Sequence, residues 1–271
     1  MGAISRASPA EAVDSLFDIS GKVALVTGGA RGIGRFVTEG LVRSGVTVFI
    51  ASRDGEAGNA LATELSGIGE CHSIACDLLA PGAVEALAHD VMARTPQLDI
   101  LINNSGSFHK ADFDVFPEAG WDTVMDLNVK SAFFLTQALA PALRKAAKPL
   151  DPARVVNISS IAGVRAYDND SFSYMASKAA LNHLTRALAA RLARDHINVN
   201  ALAPGPMAGG MMRRTTEDEA FRQTVVRRIP AGRTGSADDM IGAVRFLCAP
   251  ASAYLTGVLL PLDGGASACV W

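Results

Sequence analysis

The chain has 271 residues, 49% hydrophobic and 19% charged, which suits one large core and the length of a single α/β domain. A formal net charge of -2 and a pI near 6.2, with Lys and Arg scattered, leave no basic field, so nucleic acid is not an expected partner. No apolar run approaches the roughly 18 residues of a bilayer span and no basic-then-apolar leader opens the chain, so a cytoplasmic protein with no membrane partner is expected.

Residues 1–19, rich in Ala, Ser and charge without an apolar period, read as a loosely tied lead-in, and 20–271 as one domain. Lys22-Val23-Ala24-Leu25-Val26 is a short apolar run that stops at Thr27-Gly28-Gly29-Ala30-Arg31-Gly32-Ile33-Gly34. Val37, Leu41 and Val42 then keep a helical period. That order is strand, glycine turn, helix. Glycine permits the tight turn and lets a ligand approach the backbone, while the amides and dipole of the new helix favour a phosphate. A second strand, Thr47-Val48-Phe49-Ile50-Ala51, ends at Ser52-Arg53, where a nucleotide-binding α/β fold holds the adenosine ribose. A carboxylate there would bind free ribose hydroxyls. A hydroxyl and a guanidinium, with Arg31 in the glycine loop, instead suit the 2′-phosphate of NADP(H), although Arg53 also reads as a solvated strand-end charge.

A helix over about 56–65 precedes a strand over about 72–75 that ends in Asp77-Leu78, where Asp77 is placed to accept a hydrogen bond from adenine. Cys71, Cys76, Cys248 and Cys269 show no CxxC spacing and are read as reduced thiols; no metal is assigned. After a helix over about 83–93, Asp99-Ile100-Leu101-Ile102 leads into Asn103-Asn104-Ser105-Gly106. The regular alternation predicts a doubly wound, Rossmann-like parallel sheet with helices on both faces. Residues 121–145 carry the period of a long helix interrupted at Pro141, with Asn128 inside it. That asparagine either faces solvent or spends its amide on a kinked backbone and a water.

Arg154-Val155-Val156-Asn157-Ile158 is a buried type of strand running into Ser159-Ser160. In open parallel sheets the chemistry lies beyond the carboxyl ends of the strands, which places Ser160 beside the next helix. That helix opens with Ser173-Tyr174-Met175-Ala176-Ser177-Lys178, and its four-residue spacing puts Tyr174 and Lys178 on one face. A free phenol titrates near about 10, and an ammonium within about 4 to 6 Å favours tyrosinate. The pair predicts a usable acid/base, though any amphipathic helix can carry such a pair. Leu181, Leu184, Leu188 and Leu192 continue the buried stripe, and Asn198-Val199-Asn200 returns as a strand whose other face meets polar groups before Pro204-Gly205. Residues 206–233, with Met207, Met211 and Met212, read either as a lid over a substrate or as a surface helix burying Phe221, Val225 and Ile229. A last helix over about 240–247 and a last strand over about 258–262 lead to Asp263-Gly264-Gly265 and a tail ending at Trp271.

Over residues 20–266 these pieces resemble the short-chain dehydrogenase/reductase superfamily. The glycine turn looks like that family's cofactor loop, Asn103-Asn104-Ser105-Gly106 like its strand-four motif, and Asn128, Ser160, Tyr174 and Lys178 match its catalytic tetrad in order. Pro204-Gly205 and Asp263-Gly264-Gly265 match its later markers. Leu98-Asp99-Ile100-Leu101, Pro152-Ala153-Arg154-Val155 and the Met-rich segment look most like 3-oxoacyl reductases, especially those of the rhamnolipid-pathway type. The resemblance implies an NADP(H) site formed by Gly28, Arg31, Gly32, Ile33, Gly34, Ser52, Arg53, Asp77 and Leu78. Asn104, Ser105, Gly106, Tyr174, Lys178, Pro204, Gly205 and Met207 complete it. It implies that Ser160 holds a substrate carbonyl, Tyr174 protonates it, Lys178 lowers the Tyr174 pKa and holds the nicotinamide ribose, and Asn128 supports a water. Three departures stand out: Ser105 replaces an alanine, the serine-to-tyrosine segment is one residue longer, and Met207, Ala208 and Gly209 offer no hydroxyl after Pro204-Gly205.

The expected activity is NADPH-dependent reduction of a 3-oxoacyl thioester, an ester or a bulky ketone. Oxidation of a sugar or secondary alcohol is the competing enzyme reading, and a non-catalytic dinucleotide sensor the competing class. An acyl carrier protein or CoA thioester is a candidate partner, with Arg213, Arg214, Arg227 and Arg228 either meeting an acidic surface or simply solvated. The helices carrying Asn128 and Tyr174 resemble the family's dimer interface, so a homodimer or homotetramer is expected.

Overall fold

The computed structural model describes residues 13–208 and 218–268. Seven parallel strands form one sheet: β1 (Val23–Thr27), β2 (Thr47–Ser52), β3 (Cys71–Ala75), β4 (Ile100–Asn103), β5 (Ala153–Ile158), β6 (Ile197–Pro204) and β7 (Leu259–Leu262). Their order across the sheet is β3-β2-β1-β4-β5-β6-β7, so the winding reverses between β1 and β4. The helices are α1 (Gly32–Arg43), α2 (Gly55–Leu65), α3 (Ala83–Arg94), α4 (Glu118–Met125), α5 (Ser131–Ala146), α6 (Phe172–Leu192), α7 (Glu219–Val226) and α8 (Ala237–Cys248).

Successive side chains of a strand point to opposite faces, and the two cores follow that alternation. Ala24 and Val26 of β1 pack with Val37, Leu41, Met240 and Val244 beneath α1 and α8. Leu25 between them packs on the other face with Leu101, Val155 and the α5 residues Leu135, Leu139 and Leu143. The strands therefore read as continuous apolar runs because both faces are covered. On the second face a line of buried polar side chains crosses the sheet. Asn103 donates to Thr136 Oγ1 at 3.2 Å and to Asn157 Oδ1 at 2.9 Å, and Asn157 donates to Thr185 Oγ1 at 2.9 Å. It joins α5, β4, β5 and α6.

The helical run over 118–146 is broken, but not at Pro141. A π-turn at Asp126–Lys130 separates α4 from α5, and Pro141 lies inside α5. A proline removes one helical hydrogen bond. Here Leu139 and Leu143 on either side are wholly buried, so tertiary packing holds the helix through it. The two asparagines of β6 meet backbone, as expected of a strand facing polar groups. Asn198 Nδ2 donates to the Ala253 carbonyl at 2.8 Å and Asn200 Nδ2 to that of Leu255 at 2.9 Å. Leu184 and Leu188 are half-buried rather than buried, unlike Leu181 and Leu192. Among the described residues no helix is long and apolar enough to cross a membrane.

Candidate active site

At the switch point the carboxyl ends of β1 and β4 face the glycine loop, the usual place for a ligand in an open parallel sheet. Thr27, at the head of the glycine turn and given no role by the sequence, organises it. Its Oγ1 accepts from the amides of Asn104 and Ser105, each at 3.0 Å, while Asn104 Nδ2 donates to the carbonyls of Thr27 at 2.9 Å and Gly28 at 3.2 Å. The Asn104 amide thus braces the loop instead of reaching out from it. Gly28 and Gly32 have φ of +63° and +53°, which side chains rarely adopt. A Cβ at Gly28 would lie 3.0 Å from Asn104 Nδ2 and 3.2 Å from Ser105 Oγ, and one at Gly34 would collide with the Gly28 carbonyl.

The first turn of α1 has no side-chain cap and no acidic residue, so its amides and dipole are offered outward. Tight backbone, uncapped amides and an open approach fit a dinucleotide's pyrophosphate. At the end of β2, Ser52 is 8% exposed and Arg53 is exposed. Arg31 has 72% of its side chain exposed and pairs with Asp54, a contact sequence reading missed. Asp54 also caps α2 by accepting from the Ala57 amide at 2.9 Å. The carboxylate at this strand end is therefore committed to a helix cap and an arginine. Beyond β3, Asp77 is exposed and accepts from the Leu79 amide at 3.1 Å, beside half-buried Leu78.

The four catalytic candidates converge from three elements. Asn128 sits in the π-turn, 1% exposed, which excludes the solvent-facing alternative. Its Oδ1 accepts from the Ser107 amide at 2.8 Å, and its Nδ2 donates to the Ser107 carbonyl at 3.0 Å and to Ser177 Oγ at 2.9 Å. Ser177 Oγ donates in turn to the Tyr174 carbonyl at 2.8 Å. Asn128 therefore ties the segment after β4 to α6, with Ser177 as an unforeseen intermediary. Ser160 caps a short turn over Ile161–Gly163 by accepting from the Ala162 amide at 3.1 Å, and its hydroxyl is near enough to the Tyr174 phenol to favour its ionised form. Lys178, 4% exposed, donates from Nζ to the Ile158 carbonyl at 2.9 Å and stands 5.7 Å from the Tyr174 ring centroid. A Cβ at Gly106 would lie 3.3 Å from Asn128 Oδ1 and 3.7 Å from Lys178 Nζ, so both face that glycine.

Electrostatics correct one expectation. In the ligand-free site the net Tyr174 shift is upward and is set by burial. Burial pushes the phenol up from its ordinary value and the neighbouring Ser160 hydroxyl recovers only part of that shift. Burial also lowers Lys178 to about 8. The reason is geometric: Nζ is aimed at a strand-end carbonyl and both groups are desolvated, which disfavours each charged form. Tyr174 is accordingly held as a neutral phenol, a proton donor.

Around this cluster, Phe108 sets its ring edge on Tyr174 at 5.2 Å between centroids. The lengthened segment before Tyr174 reaches the same region, with the Ala111 amide donating to the Asp170 carbonyl at 3.4 Å. Tyr167 packs with Ile161, Ala203 and Ile229, and Arg165 stands 6.0 Å over its ring while donating to the Ala266 carbonyl at 3.1 Å. The markers Pro204-Gly205 and Asp263 meet, since a Cβ at Gly205 would lie 2.7 Å from Asp263 Cβ. The Met207 side chain is 3% exposed in the core under α1 and α8 and offers no side-chain contact to a cofactor. It forms a bridge with Gly235, which leaves its backbone groups pointing away from that partner. Of the expected lid, Gly209, Gly210, Met211, Met212, Arg213 and Arg214 lie outside the described residues, as do Cys269 and Trp271. Within 218–229, α7 leaves Phe221 and Val225 half-buried, and Ile229, beyond its end, is buried.

A family model described as "Enoyl-(Acyl carrier protein) reductase" matches residues 28–267. A Pseudomonas aeruginosa protein named rhamnolipids biosynthesis 3-oxoacyl-[acyl-carrier-protein] reductase is 42% identical over 249 residues, spanning 92% of this chain and 97% of its own. A solved structure of Pseudomonas aeruginosa RhlG in an active-site complex with NADP superposes with a TM-score of 0.90 at 42% identity, over 93% of this chain and 99% of that one. Gluconate 5-dehydrogenase of Gluconobacter oxydans is 35% identical over 251 residues, 92% of this chain and 96% of its own. With half-buried Ser160 and Tyr174 and buried Lys178 behind a glycine loop at the switch point of a seven-stranded parallel sheet, these matches place the chain in the short-chain dehydrogenase/reductase family.

Proposed function

We propose that this protein is an NADPH-dependent ketoreductase that acts on 3-oxoacyl thioesters or esters. The observation that carries the reading is the cluster itself: a neutral phenol beside Ser160 with a buried ammonium behind it, held to the Ile158 carbonyl and 5.7 Å from the phenol ring centroid. The glycine loop from Gly28 to Gly34 would hold the pyrophosphate, and Arg31, Ser52 and Arg53 the 2′-phosphate. Asp77 and Leu78 would meet the adenine, while Ser105, Gly106, Lys178, Pro204, Gly205 and the Met207 backbone meet the nicotinamide end. NADPH supplies the hydride.

The chain's own residues supply the rest. Ser160 and Tyr174 donate hydrogen bonds to the substrate carbonyl oxygen, where negative charge develops, and their position is set before substrate arrives. Tyr174 then gives its proton to that oxygen, and the ammonium of Lys178 stabilises the tyrosinate left behind. Asn128 keeps the segment after β4 against α6, so that Gly106 and Lys178 stay opposed. Reduction starts from the neutral phenol, the form that burial favours.

Oxidation of a sugar acid is the second reading, prompted by the gluconate 5-dehydrogenase relative. A non-catalytic sensor is disfavoured by the intact tetrad. An acyl carrier protein is the proposed donor of the thioester, with exposed Arg227 and Arg228 after α7 on its approach side, and assembly through α4, α5 and α6 as a homodimer or homotetramer belongs to the same proposal. The test is oxidation of NADPH and NADH side by side against short 3-oxo esters, cyclic ketones and long 3-oxoacyl thioesters, with gluconate oxidation in parallel. Preference for NADPH with a 3-oxoacyl compound is expected. Preference for NADH together with alcohol oxidation overturns the reading.

A further inference from the structure

Beside Tyr174 an open cleft of about 340 Å³ runs between the segment after β4 and α4. Phe108, Pro117, Ala119 and Val124 form its apolar walls. Phe108 belongs both to this cleft and to the surroundings of the catalytic cluster, because its ring packs against Tyr174, so the cleft adjoins the cluster at that ring. The cleft's polar side chains are turned inward. Thr123 Oγ1 donates to the Ala119 carbonyl at 2.8 Å and Ser107 Oγ to the Thr123 carbonyl at 3.4 Å. His109 lies against Gly120, where a Cβ would come within 2.6 Å of its ring, and sets its edge on Phe116 at 5.4 Å between centroids. Among the described residues, no Asp, Glu, Lys or Arg lines the cleft.

A polyol or sugar acid requires several convergent polar groups, because its hydroxyls lose water on entry. This cleft has committed its hydroxyls to backbone, and it leaves one half-buried imidazole. An alkyl chain needs only apolar walls and an open end through which a longer tail continues. We infer that this cleft is the tail site of the substrate, and that it holds the alkyl chain of a medium or long 3-oxoacyl group along Phe108, Ala119 and Val124. The assignment rests on the ketoreductase reading above and adds which residues measure chain length.

The test compares 3-oxobutanoyl and 3-oxodecanoyl N-acetylcysteamine thioesters with the wild type, Ala119→Phe and Thr123→Phe. Both positions are on the exposed surface of α4, where an added ring fills the cleft without entering the core. In the wild type kcat/KM rises about fourfold for each methylene that enters the apolar cleft. In both variants the ratio of long-chain to short-chain kcat/KM falls toward one. An unchanged ratio in both overturns the assignment. Calorimetric binding of decanoyl-N-acetylcysteamine, which has no ketone to reduce, separates this inference from the reaction. Binding by the wild type that is lost in Ala119→Phe supports the tail site even if no 3-oxoacyl thioester is reduced. Reduction of 3-oxobutanoyl thioester with no gain from length and no decanoyl binding leaves the reaction standing and removes the tail site.

Discussion

The proton-transfer cluster and the end of β2 are built by opposite means. Asn128 and Lys178 are 1% and 4% exposed, and each is fixed by hydrogen bonds from different elements of the fold. Arg31 has 72% of its side chain in water and pairs with Asp54, and Arg53 is exposed beside it. In the first region charge is scarce, desolvated and position-dependent. In the second it is screened and interchangeable, and an exposed ion pair contributes little to stability. The difference teaches that the chemistry is a property of the core and the choice of dinucleotide a property of the surface, so the two should respond separately to substitution.

The largest test of that separation is Tyr174→Phe. It removes the proton donor from a site otherwise intact, and turnover should fall by about 10²- to 10⁴-fold while the affinity for NADPH, read by fluorescence titration, stays within a few-fold. Retained turnover would break the assignment of the acid. The double variant Arg31→Ala with Arg53→Ala should act in reverse. NADPH loses about ten- to a hundredfold in affinity through the lost charged hydrogen bonds, while NADH is nearly unaffected and kcat with saturating NADPH is kept. A fall in kcat as large as the fall in affinity would show that the two regions are not separate.

A smaller effect is expected from pH. Lys178 titrates at about 8 in the ligand-free site, so its ammonium is present below that value and lost as pH rises through it. For reduction, kcat/KM should hold level below about pH 8 and fall about tenfold per unit above, because this parameter reports the free enzyme. Tyr174, pushed up by burial, stays protonated throughout that window. A profile flat to pH 10 would remove Lys178 charge from the mechanism.

Much of this was legible in the sequence because it is written in short, local signals. The apolar runs of β1, β2, β4 and β5 end at the residues that carry function, and the Tyr174 to Lys178 spacing needs only the helix period to be read. What escaped depends on contacts between distant segments. The π-turn at Asn128 has no local signature, whereas Pro141 has a strong one that core packing overrides. The pairing of Arg31 with Asp54 joins residues 23 apart in the chain, and the direction of the Tyr174 and Lys178 shifts depends on how deeply both are buried. A hint was available at Asp54, an acidic residue immediately before the Gly55–Leu65 helix, where such residues cap. Nothing in the local pattern marked Phe108 or the cleft it borders.

The polar line from Thr136 through Asn103 and Asn157 to Thr185 has a mechanical consequence. Apolar contacts between a helix and a sheet are tolerant of sliding, since one methyl group serves nearly as well as the next. Hydrogen bonds of fixed length are not, and a line of them perpendicular to the strands acts as a dowel driven through adjoining planks. Shear between α5 and α6 would have to break the line inside a region of low dielectric, where unpaired amides are costly. The rim of the molecule, from the segment after β4 to the 160–171 loop and α7, can therefore be remodelled for different substrates while the distance between Asn128 and Lys178 is left as it was.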